Sequence, residues 1–154
     1  MTPVASMVPQ ADGLRVLDVI GSICEMLLTG EDTNGAVTLA RVWVPAGWEN
    51  PPHIHWYEDE MFYVLDGEIE VSVAGQTTRL RSGESAHGPR RVVHSFANRT
   101  RDWARVLVTI TPGGFERFFK AMHDANAAGA PSMDRIVELI DRHGMSVVSG
   151  GHDH

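Results

Sequence analysis

The chain has little that would let it work through disulfides, a membrane or a nucleic acid. One of its 154 residues is a cysteine, Cys24, so no internal disulfide can form, which suits a reducing compartment. Cys24 sits in the apolar stretch Ser22 to Thr29, where a buried inert thiol is expected rather than a nucleophile. No apolar run approaches the ~20 residues that a transmembrane helix needs. Met1 to Gly13 shows no basic start followed by an apolar run, so no secretory signal is read there. These absences lead us to expect a soluble, cytoplasmic protein.

Basic residues are in the minority. Thirteen Lys and Arg against twenty Asp and Glu give a net charge of -7, which argues against a nucleic-acid surface. Seven of the thirteen (Arg79, Arg81, Arg90, Arg91, Arg99, Arg101, Arg105) fall in one stretch. Solvated strand faces and turns account for them, with Arg90 or Arg91 as candidates for drawing an anionic substrate inward. No internal repeat, linker or second domain is visible, and the length suits one domain around one core.

Histidine is what the chain has in excess, with eight. The informative ones lie in two segments, Gly-x5-His-x-His-x4-Glu-x6-Gly from Gly47 to Gly67 and Gly-x5-Pro-x4-His-x3-Asn from Gly83 to Asn98. His53 and His55 are two apart, so on an extended strand both side chains leave the same face. Glu60 follows after a stretch short enough for a turn to fold its carboxylate back, and His94 arrives on a separate strand. Three imidazoles and one carboxylate from different strands make a site for one divalent transition metal ion. Fe, Mn, Ni, Co and Zn all suit this donor set, and the sequence does not choose among them. His152 and His154, in the terminal Gly-Gly-His-Asp-His, are expected to be frayed and incidental.

Turn signals recur every eight to twelve residues or so through the middle of the chain, the rhythm of a β-sandwich or barrel. Strands are predicted at Ser22 to Thr29, Ala36 to Val44, Met61 to Leu65, Glu68 to Val73, Thr77 to Arg81, Val92 to Ala97 and Trp103 to Ile110. On their strands Phe62 and Val64 share the face of Glu60, and Val92 and Phe96 flank His94, so an apolar wall should surround the ligands. After Pro112-Gly113-Gly114 the period becomes helical, with Phe115, Phe118, Phe119 and Met122 on one face. A second helix is framed by Ser132 as its cap, Asp134 in the first turn, and Arg142 and His143 before Gly144. Both helices could pack on the outer wall or cover the mouth of the β unit.

At the two histidine segments the chain resembles the cupin superfamily, whose paired signatures have this spacing. One position departs from them: Arg91 stands where a glycine is common. Pro112-Gly113-Gly114-Phe115-Glu116-Arg117-Phe118-Phe119 and the helical tail resemble the single-domain, quercetin 2,3-dioxygenase-like cupins. The resemblance implies a mainly β fold, a small jelly-roll β-barrel with two C-terminal α-helices packed on it. One domain over residues 1–154 is then expected, with the barrel at about 14–111, the helical tail at about 115–144, and frayed ends at 1–12 and 146–154. Because the edges of such a sheet need pairing or cover, a homodimer is expected.

The site so read is metal-binding at His53, His55, Glu60 and His94, with Glu60 also the candidate catalytic base, as the resemblance to quercetinases implies. Trp48, Trp56, Phe62, Phe96, Phe115 and Phe119 are the candidates for a pocket that takes a flat or apolar small molecule. The leading expectation is a dioxygenase in which an enolic or phenolic substrate is activated by the metal and O2 is the co-substrate. Two alternatives stand beside it. One is a non-oxidative isomerase, cyclase or dehydratase on a polyketide-like or other enolisable substrate. The other is a binding module without turnover.

Overall fold

The period-two alternation of Glu68 to Val73 is one strand of a two-sheet jelly roll. The computed structural model describes residues 15–148. In chain order they form β1 (Val16–Val19), β2 (Ser22–Leu28), β3 (Thr38–Val44), β4 (His53–His55), β5 (Asp59–Asp66), β6 (Glu68–Val73), β7 (Gln76–Arg81), β8 (Ser85–Gly88), β9 (His94–Ala97) and β10 (Ala104–Thr111), then α1 (Glu116–Ala127), α2 (Met133–Arg142) and β11 (Met145–Val147). The larger sheet has the order β1-β2-β3-β10-β5-β8 and the smaller β11-β4-β9-β6-β7, and every pair is antiparallel. The fold is therefore the expected jelly roll with two C-terminal helices, its strands forming two sheets that face each other and are not joined by hydrogen bonds into one closed barrel among the described residues.

Alternate residues of the central strands fill the space between the sheets. Val42, Val44, Val64, Val106, Val108 and Ile110 are all buried there. Glu60, Phe62 and Val64 do share the inner face of β5, as their spacing requires. Each fully buried Val, Ile or Phe contributes about 1.5–3 kcal/mol relative to leaving it in water. This core packs behind Glu60 on the inner face of the sheet.

The predicted strands appear with ends shifted by about two residues at most, the usual uncertainty of strand and helix boundaries. Val92 is an exception in kind, because β9 begins only at His94 and Val92 belongs to the preceding turn. Three strands are not anticipated by the sequence: β1, β8 and β11. The last corrects an expectation directly. Residues 146 and 147, placed in a frayed end, belong to a strand that pairs with β4 in the register Met145↔His55 and Val147↔His53. Residues 1–12, residues 149–154 and with them His152 and His154 lie outside the described residues.

The segment Pro112-Gly113-Gly114 aims the helices. Gly113 passes so close to the 30–37 turn that an added Cβ would stand 2.8 Å from the Val37 carbonyl oxygen. Glu116 locks the crossing, accepting hydrogen bonds from the Gly30 amide at 2.7 Å and the Thr38 hydroxyl at 2.6 Å. α2 begins as its sequence indicates, with the Ser132 hydroxyl accepting from the Arg135 amide at 3.2 Å.

Arg91 adopts φ +68°, the left-handed conformation that glycine takes without steric penalty. Its amide donates a 2.7 Å hydrogen bond to the His55 carbonyl, so the strained residue braces a ligand strand. A non-glycine residue in that region costs roughly 1–2 kcal/mol, partly offset in Gly by its greater chain entropy. Arg91→Gly should therefore raise stability by about 0.5–1 kcal/mol, read as a higher denaturation midpoint with an unchanged slope. A variant less stable than the parent would show that the Arg91 side chain, not its backbone, matters there.

Candidate metal centre

His53 and His55 project from the same face of β4, Glu60 from β5 and His94 from β9, and all four side chains are buried. β4 pairs with β9 in the register His53↔His94, which sets those two rings side by side. The potential ligand atoms of all four residues lie within 4.8 Å of one another. Both His55 Nε2 and His94 Nε2 stand 3.0 Å from Glu60 Oε2. The ring centroids are 4.5 Å apart for His53 and His94, and 5.1 Å for His55 with either neighbour.

Each ring is held differently from behind. His53 Nδ1 contacts the Pro51 carbonyl oxygen at 2.8 Å, so its proton goes there and its Nε2 lone pair faces the cluster. His55 Nδ1 points at Glu58, 3.6 Å from Oε2. His94 Nδ1 is buried without a hydrogen-bond partner and lies over Gly88, where an added Cβ would stand 3.2 Å from the ring. Gly88 faces Glu60 in the β5–β8 register, so its missing side chain is the space that seats His94.

The protonation states follow from these surroundings. Burial depresses His53 to a pKa of about 4, helped by the neighbouring imidazoles. Burial also pulls His55 down, but the carboxylates of Glu58 and Glu60 outweigh it and raise the ring to about 9. Burial pushes the Glu60 carboxyl up, yet its contacts with His55 and His94 hold it well below the ordinary carboxylate range. Without a metal the cluster is thus an ionised Glu60 beside a protonated His55. That proton stabilises the metal-free fold fully below pH 6.5, and its contribution is lost as pH rises through about 9.

A metal ion must displace this proton, because only a neutral imidazole can ligate. Affinity for Co²⁺ or Zn²⁺ should rise about tenfold per pH unit between 6.5 and 9 and level off above. Calorimetry in buffers of different ionisation enthalpy should find roughly one proton released per ion at pH 7. A flat pH profile would show that His55 is already neutral.

The residues fit a divalent metal. Four buried nitrogen and oxygen donors converge from three strands, and no Lys or Arg lines the cavity beside the carboxylate. His53, His55 and Glu60 line a cavity of about 110 Å³. Its other walls are largely apolar, with Trp48 and Phe96 on one side and Phe115, Phe118 and Phe119 on another. The Phe115 ring is 4.8 Å from that of His55, and the Trp48 ring 5.1 Å from that of Phe96. α1 and α2 therefore cover the ligands, since Ile136 and Ile140 of α2 also line the cavity.

Trp48, Phe96, Phe115 and Phe119 thus stand around the ligands, whereas Trp56 and Phe62 do not line this cavity. Trp56 is 40% exposed and donates its indole N–H to Ser146 at 2.9 Å, tying β11 to the ligand strand. Phe62 is core, its ring 5.4 Å from Phe96 and 6.0 Å from His94. Arg90 and Arg91 are also absent from the walls, and Arg90 donates its amide and Nε to Asp59. Sequence reasoning left Phe118, Ile136 and Ile140 out of the named pocket residues, though covering the mouth was one of two roles open to their helices, and it missed Glu58 and Gly88. The helical stripes held a signal for the first three; nothing in the spacing singled out the last two. Cys24 lines the cavity with its thiol raised by burial to about 12, so it stays neutral. Asn98, which closes the second segment, is an organiser of the turn: its amide donates to the Val44 and Asp102 carbonyls and its oxygen accepts from Thr100.

A two-sheet jelly roll with three histidines and a glutamate converging inside it is the arrangement that the cupin resemblance implies. Residues 40–110 match the cupin domain family, which together with the fold supports the cupin superfamily. It is 29% identical over 110 residues to quercetin 2,3-dioxygenase of Bacillus subtilis, covering 65% of this chain and 32% of that protein. It is 33% identical over 60 residues to polyketide synthase CurC of Streptomyces cyaneus, 39% of either chain. The chain spans about a third of the length of these relatives. Among solved structures, an RmlC-like cupin from Shewanella frigidimarina superposes with a TM-score of 0.58 at 24% identity, over 70% of this chain and 93% of that one.

Proposed function

We propose that this cupin is a mononuclear-metal dioxygenase acting on an enolic or phenolic small molecule. One observation carries the reading: the ligand cluster opens into an apolar, aromatic cavity that no Lys or Arg lines. Such a cavity suits a flat neutral molecule that becomes anionic only at the metal, and it disfavours one that arrives as a carboxylate or phosphate. The similarity to quercetin 2,3-dioxygenase supports the same chemistry.

The bound metal would act as a Lewis acid that lowers the pKa of the substrate hydroxyl and provides a place for O2. The chain's own residues do the rest. His53, His55 and His94 hold the ion through their ring nitrogens. Glu60, ionised in the metal-free cluster, would accept the hydroxyl proton once the ion has taken over the His55 and His94 nitrogens that contact it there. Trp48, Phe96 and Phe115 stack against the substrate and, with Ile136 and Ile140, exclude water.

The similarity to polyketide synthase CurC favours a second reading, in which the same enolate is isomerised, cyclised or dehydrated without oxygen. A panel of flavonols, catechols and 1,3-diketones should be screened on metal-loaded protein with an oxygen electrode and product mass. Oxygen uptake with fragments that together carry two more oxygen atoms than the substrate, any released one-carbon gas included, supports the dioxygenase. Turnover at unchanged mass or with loss of water, without oxygen uptake, selects the second reading.

Among the described residues no helix is long and apolar enough to cross a membrane. A homodimer remains part of the proposal. The outer face of the larger sheet exposes Ile23, Trp43 and Tyr63, and its basic side chains are neutralised within the chain, Arg41 by Glu25 and Arg105 by Asp66. That neutrality lets two copies meet despite the net charge of -7. Light scattering should give twice the chain mass, and Trp43→Glu should shift it toward the monomer; a monomer mass at all concentrations would contradict this.

A further inference from the structure

We propose that Glu58 is a positioning residue for the metal centre, holding His55 in the tautomer and orientation that ligation needs. The inference rests on the metal-binding reading of the cluster. Glu58 lies in the turn between β4 and β5, three residues after His55 and two before Glu60. Its Oε2 and the His55 Nδ1 are both shielded from solvent, and neither has a hydrogen-bond partner. They face each other at 3.6 Å, too long for a hydrogen bond but within ion-pairing distance. Two complementary polar atoms that are buried and otherwise unused mark a contact whose purpose is each other.

With the Nδ1 proton directed at Glu58, the Nε2 lone pair of His55 points into the cluster. A carboxylate behind the ring also makes that nitrogen a stronger donor than the backbone carbonyl behind His53 does. Charge supplies a second reason. A divalent cation in an apolar cavity needs two negative charges nearby, and Glu60 is the sole carboxylate lining the cavity among the described residues. Glu58 supplies the other charge from behind the ring, where it takes up no coordination position. The ion, Glu60 and Glu58 together are then neutral, and the cavity walls need no further counter-charge.

Co²⁺ titration of the full chain, followed by visible absorption and calorimetry, tests this. The parent should bind one ion. Glu58→Ala should still bind one ion, with affinity lower by roughly 10–100-fold, the usual effect of losing a partner behind a ligating histidine. Glu58→Gln keeps an acceptor and loses the charge, so its affinity should fall between the two. Melting of the metal-free proteins serves as the control. If the parent binds no Co²⁺, the metal-binding reading fails. If the parent binds and Glu58→Ala binds equally well, Glu58 has no positioning role. A variant with a lower metal-free melting temperature and unchanged affinity overturns the proposal in the same way, because its loss is merely structural. Should Glu58→Ala fail to fold, Glu58→Gln decides alone, and parental affinity in it overturns the proposal.

Discussion

Glu60→Gln should lower turnover by roughly 10²–10⁴-fold, the range expected for loss of a general base, while the protein still holds metal. The amide matches the carboxylate in size and keeps one oxygen donor, so three imidazoles and that oxygen can retain much of the ion. It cannot accept a proton, and the hydroxyl of the substrate then has no acceptor inside an apolar cavity. Substrate affinity should change far less, since the aromatic walls and the ion supply most of the binding. Glu60→Asp should be intermediate, keeping the base and shortening its reach by a methylene. The measurement is kcat and KM alongside metal content, on whichever substrate the oxygen-electrode screen returns. If Glu60→Gln retains metal and works at the parental rate, Glu60 is a structural ligand and the general-base mechanism is wrong.

The double replacement His55→Ala, His94→Ala should abolish metal binding. It removes two of the four donors and both partners of Glu60 Oε2. The consequence for stability has two parts. In the metal-free protein Glu60 is left as a buried carboxylate without a counter-charge, and breaking a buried pair in this way costs about 3–5 kcal/mol, limited here because the carboxyl can take up a proton instead. With metal present, the parent should gain about 2.7 kcal/mol at a Co²⁺ concentration one hundred times its Kd, and the variant nothing. Melting curves with and without Co²⁺ read both. A metal-dependent rise in the variant equal to that of the parent would show that the ion binds elsewhere.

The His/Glu cluster and a β-sandwich or barrel were legible because both rest on spacing, and the jelly roll came with the cupin resemblance. Alternation fixes a strand's inner face, and a His-x-His pair on that face needs no tertiary knowledge to be read. The helical tail was legible in the same way through its caps and its apolar stripes. What the sequence hid depends on contacts between distant segments. β11 is three residues long and carries no periodicity, and it exists because β4 offers it an edge beside the ligands. β8, Ser85–Gly88, lacks β-branched residues and was unreadable for a similar reason. Gly88 and Glu58 act on histidines by position alone, Gly88 through the absence of a side chain. Trp56 was assigned to the pocket by proximity in sequence, and Phe62 by sharing the face of Glu60. Trp56 faces Ser146, and Phe62 follows Glu60 on the inner face but lies one step deeper in the core.

The metal content of the protein tests the central claim most directly. Parent protein purified without chelator, or stripped and reloaded with Fe²⁺, Mn²⁺, Ni²⁺, Co²⁺ or Zn²⁺, should carry about one ion per chain by elemental analysis. The His55→Ala, His94→Ala variant, treated identically, should carry almost none. A parent that takes up none of these ions, or a double variant with full occupancy, would contradict the assignment of His53, His55, Glu60 and His94 as a metal centre.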